Sequence, residues 1–238
     1  MSVKRALPTR NVDDSSAVNP SRSGAYLEAY TLPLGGGDYM LADEGSVYHA
    51  SNATVGTGIA GHAAPVVADG VTKALLHLYN NGSKNIIPVS LHMQVTAAGT
   101  AGTIQYTSIY LDNAGATARA SGGTAITPVN CKSDGSQTTG AVIYFGPVVT
   151  AMATPYKVGV EIVREVIPVV QDTVFMRFGA PGGTAHSPLT TAGTATNHSV
   201  QDFAPICIGP GGNLNISQIR ASQSAAASYT FSFTYIER

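Results

Sequence analysis

Charge is what this chain has least of. Lysine, arginine, aspartate and glutamate together make 11% of its 238 residues, against about 25% in ordinary soluble domains. Thirteen basic and fourteen acidic side chains leave a net charge of −1, so no global positive field exists to hold nucleic acid. The surface is left to Ser, Thr, Asn and Gln, and so little charge sets up little repulsion against association with other chains. Tryptophan is absent, and the tyrosines fall mostly in predicted strands, which counts against a lectin. The two cysteines, Cys131 and Cys207, have neither metal spacing nor a CxxC motif. Without sign of secretion they are expected as buried or half-buried thiols. No apolar run approaches the roughly 20 residues that span a bilayer, and no apolar leader follows Met1. A soluble protein made in the cytoplasm, with no membrane partner, is the expectation.

Chemistry-bearing motifs are equally scarce. No GxSxG elbow occurs. His49, His62, His77, His92, His186 and His198 show no HxH, HExxH or HxxxH spacing, so no metal site is expected. His77 and His92 sit on successive predicted strands, where they either face each other across a sheet or are independent polar-face residues. Gly56-Thr57-Gly58-Ile59-Ala60-Gly61 matches GxGxxG, but Pro65 interrupts the helix that dinucleotide binding requires. A flexible glycine loop accounts for it. The carboxylates are scattered, and Glu161, Arg164 and Glu165 read as a structural ion-pair cluster. No catalytic residue, cofactor or enzymatic activity is expected.

What the chain does have is turns: 26 glycines and 13 prolines separate strand-like apolar runs. Residues 1–24 are polar and aperiodic, with Lys4, Arg5, Arg10 and Arg22 outnumbering Asp13 and Asp14. They read as an extended or disordered arm, either frayed or ordered against a partner through those four basic residues. Residues 25–238 then form one domain. Ala25–Leu34 is a first strand candidate, and 38–70 give weak strand signals. Ala74–Tyr79 is a strand closed by Asn80-Asn81-Gly82-Ser83, a strong turn signal. In Ile86–Thr96, Val89, Leu91, Met93 and Val95 alternate with Ser90, His92, Gln94 and Thr96, the period of a half-buried strand. Thr103–Leu111, Ala141–Val149, Lys157–Val170 and Thr173–Phe178 follow. Residues 113–139 read as a long loop or a poorly marked strand pair, and 179–200 as a long loop of functional type. Phe203–Ile208 and Asn213–Arg220 read as strands joined by Gly209-Pro210-Gly211-Gly212. The sharpest signal is Tyr229, Phe231, Phe233 and Tyr235 alternating with Thr230, Ser232 and Thr234, a core strand. About ten strands and no amphipathic helix predict an all-β, jelly-roll-like two-sheet sandwich.

Two stretches carry a resemblance. Ala74-Leu-Leu-His-Leu-Tyr-Asn-Asn-Gly-Ser-Lys-Asn-Ile-Ile-Pro-Val-Ser-Leu-His-Met joins a strand, an Asn/Gly turn, a lysine link and an alternating strand. Ile206-Cys-Ile-Gly-Pro-Gly-Gly, Leu214-Asn-Ile and Ser228-Tyr-Thr-Phe-Ser-Phe-Thr-Tyr-Ile-Glu follow later. Over residues 74–111 and 203–238 the pattern resembles jelly-roll accessory proteins of tailed-phage virions. The resemblance implies a capsid decoration (cement) protein, located in the virion, homotrimeric, with the major capsid protein or other virion proteins as partners. The alternative it implies is a receptor- or glycan-binding module of a tail or fibre. The motifs are turns and core positions, so no functional residue is carried over.

Overall fold

The computed structural model describes residues 41–54, 56–63, 71–100, 105–112, 119–150, 152, 154–164, 169–179, 185–186, 198–219 and 223–238. All but Leu41 belong to one compact unit, Ala42–Arg238. The arm with Lys4, Arg5, Arg10 and Arg22, the 25–34 strand candidate and most of the 179–200 loop lie outside the described residues. So do the side chains of Glu161, Arg164 and Glu165.

The described strands are β1 (Val47–Ser51), β2 (Ile59–Ala60), β3 (Leu76–Asn80), β4 (Ile86–Ala97), β5 (Gln105–Asp112), β6 (Arg119–Ile126) and β7 (Val129–Asn130), then β8 (Ala141–Val149), β9 (Tyr156–Arg164), β10 (Thr173–Phe178), β11 (Ala185–His186), β12 (His198–Phe203), β13 (Asn213–Ile219) and β14 (Ser228–Glu237). They form two sheets. One runs β11-β12-β10-β4-β14-β1-β7, with β2 also on β14; the other runs β6-β8-β3-β13-β5-β9.

Eight of these strands define the topology. In chain order β1, β3, β4, β5, β9, β10, β13 and β14 are first to eighth. They pair first–eighth–third–sixth in one sheet and second–seventh–fourth–fifth in the other, every pair antiparallel. That is the double Greek key of a jelly roll. The extra strands extend it sideways: β8 and β6 beyond β3, β7 beyond β1, and β12, parallel to β10, followed by β11.

The predicted core strand occupies the middle of the larger sheet. Tyr229, Phe231, Phe233 and Tyr235 are all buried, and β14 pairs with both β1 and β4. Phe231 reaches across the sandwich to stack on Phe145 of β8, ring centroids 4.6 Å apart. Tyr235 stacks on Tyr48 at 5.5 Å. Burying such rings contributes roughly 1.5–3 kcal/mol each. At the other side of the sandwich, Phe203 of β12 lies over Gly159 of β9, whose missing Cβ is the space the ring occupies.

Several expectations are corrected. The strand at Leu76–Asn80 ends at the expected Asn/Gly turn, but β3 and β4 lie in different sheets, so the connection that starts there crosses the sandwich. His77 and His92 therefore do not face each other. His77 is buried against Asn215, while His92 is exposed. Val89 is not a regular member of the buried face. Tyr235 pairs with Pro88 and Thr234 with Ser90, so Val89 is the extra residue of a β-bulge. The strand expected at Phe203–Ile208 is instead β12, His198–Phe203; beyond it only Ile208 makes an isolated bridge, to Ile86. Within 113–139, β6 and β7 are ordered strands. Cys131 and Cys207 are free and exposed. Ile59–Ala60 of the glycine-rich segment forms β2, and close packing against Thr96 and Leu75 accounts for Gly58 and Gly61, while Gly56 has open space around it and a φ of +78°.

Candidate functional site

Two surface features bring polar residues together. The first is the outward face of the larger sheet. Because side chains alternate along each strand, the core-facing aromatics of β14 force Thr230, Ser232 and Thr234 outward. Pairing register then sets Gln94, His92 and Ser90 of β4 beside them. The next strand adds Thr173, Phe175 and Arg177, and β12 adds His198, Val200 and Asp202. On the other flank β1 contributes His49 and Ser51. Among the described residues one ion pair lies on this face, and it is internal. Arg177 Nε and Nη2 donate to the two carboxylate oxygens of Asp202 at 2.6 and 2.8 Å. That hydrogen-bonded pairing lowers the Asp202 pKa and raises that of Arg177. The face is thus a broad sheet of hydroxyl, amide and imidazole groups whose opposite charges cancel in place.

Its histidines are held separately. His49 Nδ1 lies 3.3 Å from Thr234 Oγ1, and burial lowers its pKa. His198 Nδ1 lies 2.6 Å from Thr173 Oγ1, and His92 packs at a tilt on Phe175, 6.2 Å between centroids. Among the described residues no three His, Cys, Asp or Glu side chains gather as metal ligands.

The second feature is a cleft of about 410 Å³ at the end of the sandwich where β3 crosses to β4. One wall is the crossover, Asn81 to Lys84; the other is the segment Thr138–Gly140 entering β8. Buried Asn80 shapes the first wall, donating from Nδ2 to the carbonyls of Lys84 and Ile208 and accepting the Gly82 N–H. Asn81 N–H donates to the Gly140 carbonyl at 2.8 Å, which ties the walls at their base. Gly82 and Gly140 meet there so closely that a Cβ on Gly140 would stand 2.6 Å from the Gly82 Cα. The walls can approach this closely at their base only because neither glycine carries a side chain.

At its inner end sits Glu237, 7% exposed, carried inward by the same alternation that buries Tyr235. Thr139 Oγ1 donates to Glu237 Oε2 at 2.5 Å, and Gly140 N–H is shared by both carboxylate oxygens at 3.2 Å. Tyr235 O–H lies 2.9 Å from Thr139 Oγ1. Since that hydroxyl already gives its proton to Glu237, Tyr235 is the donor. Burial is the main cause that raises the Tyr235 pKa, which keeps it protonated for that role. Sequence reading passed over Glu237 because a carboxylate closing an amphipathic strand looks like a solvated end. Its place in the inward alternation after Tyr229, Phe231, Phe233 and Tyr235 was the available signal. Comparison of the chain with family models, curated proteins and solved structures gave no match.

Proposed function

We propose that this jelly roll is a non-enzymatic structural protein of a tailed-phage particle. It attaches to the assembled capsid surface and stabilises it as a decoration or cement protein. The observation that carries the reading is the broad outward face of the larger sheet, rich in Ser, Thr and His, with its Arg177–Asp202 charges internally cancelled. Such a face engages another protein by shape and short hydrogen bonds rather than by long-range attraction. A protein that binds only the assembled lattice stabilises it by mass action. A homotrimer adds avidity without new contacts, and a chain with 11% charged residues puts little repulsion between copies. The partners in this reading are the major capsid protein or other virion proteins, and the location is the virion after synthesis in the host cytoplasm. The basic arm residues Lys4, Arg5, Arg10 and Arg22 supply attraction to an acidic shell surface.

The test is co-sedimentation of the purified protein with empty shells, alongside Ser232→Arg and His92→Glu, which place charge on the outward face. The intact protein should pellet with shells and both variants at least tenfold less. Failure of the intact protein to bind assembled shells overturns the reading. Sedimentation of the free protein at micromolar concentration tests the trimer, and a monomer there removes it.

A further inference from the structure

We propose that the cleft between Asn81–Lys84 and Thr138–Gly140 is a binding site for a neutral saccharide, separate from the outward sheet face. Its volume, about 410 Å³, lies in the range of roughly 300–1,000 Å³ typical of small-ligand sites. The lining selects the ligand class. Of the lining side chains only Val142 is apolar and none is aromatic, so a nucleobase or an apolar side chain is offered little, and a sugar here is held through its hydroxyls and not through the stacked aromatic whose scarcity counts against a lectin. Three exposed groups both donate and accept: the Asn81 amide and the Ser83 and Thr138 hydroxyls. Hydroxyl-rich ligands need that mixture, because each sugar hydroxyl donates one hydrogen bond and accepts others.

The charged groups sharpen this. Lys84 and Glu237 both line the cleft, so its formal charge is zero and it favours neither an anion nor a cation. Lys84 is exposed and makes no ion pair among the described residues, leaving its three ammonium donors available. Glu237 is the fixed acceptor. A carboxylate has about four acceptor positions; Thr139 and the shared Gly140 N–H occupy Oε2 twice and Oε1 once. One position on Oε1 remains, on a side chain already oriented by its other contacts. A preoriented buried carboxylate and an exposed ammonium lining one cleft suit a pair of neighbouring hydroxyls.

Saturation-transfer NMR on the whole protein, with neutral gluco-, manno- and galacto-oligosaccharides as probes, tests the site. Transfer to at least one neutral probe is expected, with its Kd raised fivefold or more in Lys84→Ala and in Glu237→Gln. Lys84 is a surface residue, so that variant keeps its fold and decides the outcome should Glu237→Gln fail to fold. No transfer to any neutral probe, transfer only to sugars bearing a carboxylate, or a Kd that moves less than fivefold in Lys84→Ala overturns the proposal. Shell co-sedimentation is read independently, since no cleft residue lies on the outward face.

Discussion

At the scale of single residues, burial decides which side chains matter. Phe233 is fully buried and Phe231 nearly so, one ring packed along the strand on Tyr235 and the other across the sandwich on Phe145. Phe231→Ala and Phe233→Ala should each cost about 3–5 kcal/mol in urea denaturation. Losses under about 1 kcal/mol at both would place the aromatics at the surface. His49 gives a pH signature. Burial lowers its pKa below the ordinary histidine value, so the folded state binds its proton less readily than the unfolded state. Its contribution to stability is complete above the unfolded value and is lost as pH falls from there through the folded value. Melting temperatures at pH 7.5 and 5.5 should therefore differ less in His49→Gln than in the parent protein. The thiols offer a third check. Cys131 and Cys207 are exposed and free, so both should react with a thiol reagent without denaturant. Desolvation raises the Cys131 pKa, so its labelling should accelerate as pH rises above neutrality.

At the scale of elements, the sequence was most legible where one face is apolar and least where a strand lies at an edge. Strands β8 and β10 have the predicted bounds because alternation and turn residues agree there. In β6, five residues from Ser121 to Ala125 are exposed, so burial left no imprint on its Ser-Gly-Gly-Thr-Ala composition. It is a strand because β8 offers it a hydrogen-bonding edge, a tertiary cause that no local pattern records. The bulge in β4 was hidden for the opposite reason, since Val89, Leu91, Met93 and Val95 alternate too well. The inserted Val89 moves the buried set from Ile86 and Pro88 to Leu91, Met93 and Val95. Pro88 is tolerated because β10 pairing begins only at Ser90, so the ring stands where no ladder to β10 exists. Leu91→Ala should accordingly cost about 2–5 kcal/mol and Val89→Ala less than about 1 kcal/mol. Equal losses would mean that Val89 shares the core.

At the scale of the whole molecule, composition and periodicity carried the class of fold but not its connections. The Asn-Asn-Gly-Ser turn after β3 has the chemistry of a hairpin, yet it crosses between sheets. What sets the crossing is the competition for partners: β3 takes β13 and β8, while β4 takes β14 and β10. The cleft was illegible for the same reason, because residues 81–84, 138–140 and 237 meet only once both sheets exist. In the proposed attachment, the outward face supplies short-range contact and the arm the long-range attraction. Lys4→Ala/Arg5→Ala/Arg10→Ala should therefore weaken co-sedimentation with shells more at low salt than at high salt. Deleting residues 1–22 should leave the melting temperature nearly unchanged, and undiminished attachment by that truncated protein would leave the arm without a role.

The placement of β14 also orders events during synthesis. Ribosomes make β1 and β4 well before the strand that stands between them, so both wait with unpaired edges that β14 will later cover. Its partners in β1 lie 181 to 189 residues away in sequence, for instance Tyr48 opposite Tyr235, and such distant closure makes folding slow. Any chain cut short before residue 228 exposes two open strand edges and uncovers Tyr48 and Phe145, the rings on which Tyr235 and Phe231 stack, a form built to aggregate. A nonsense change just ahead of residue 228 would consequently be as damaging as one ahead of β1, and quality control would meet its product as insoluble protein rather than as a shortened but working chain.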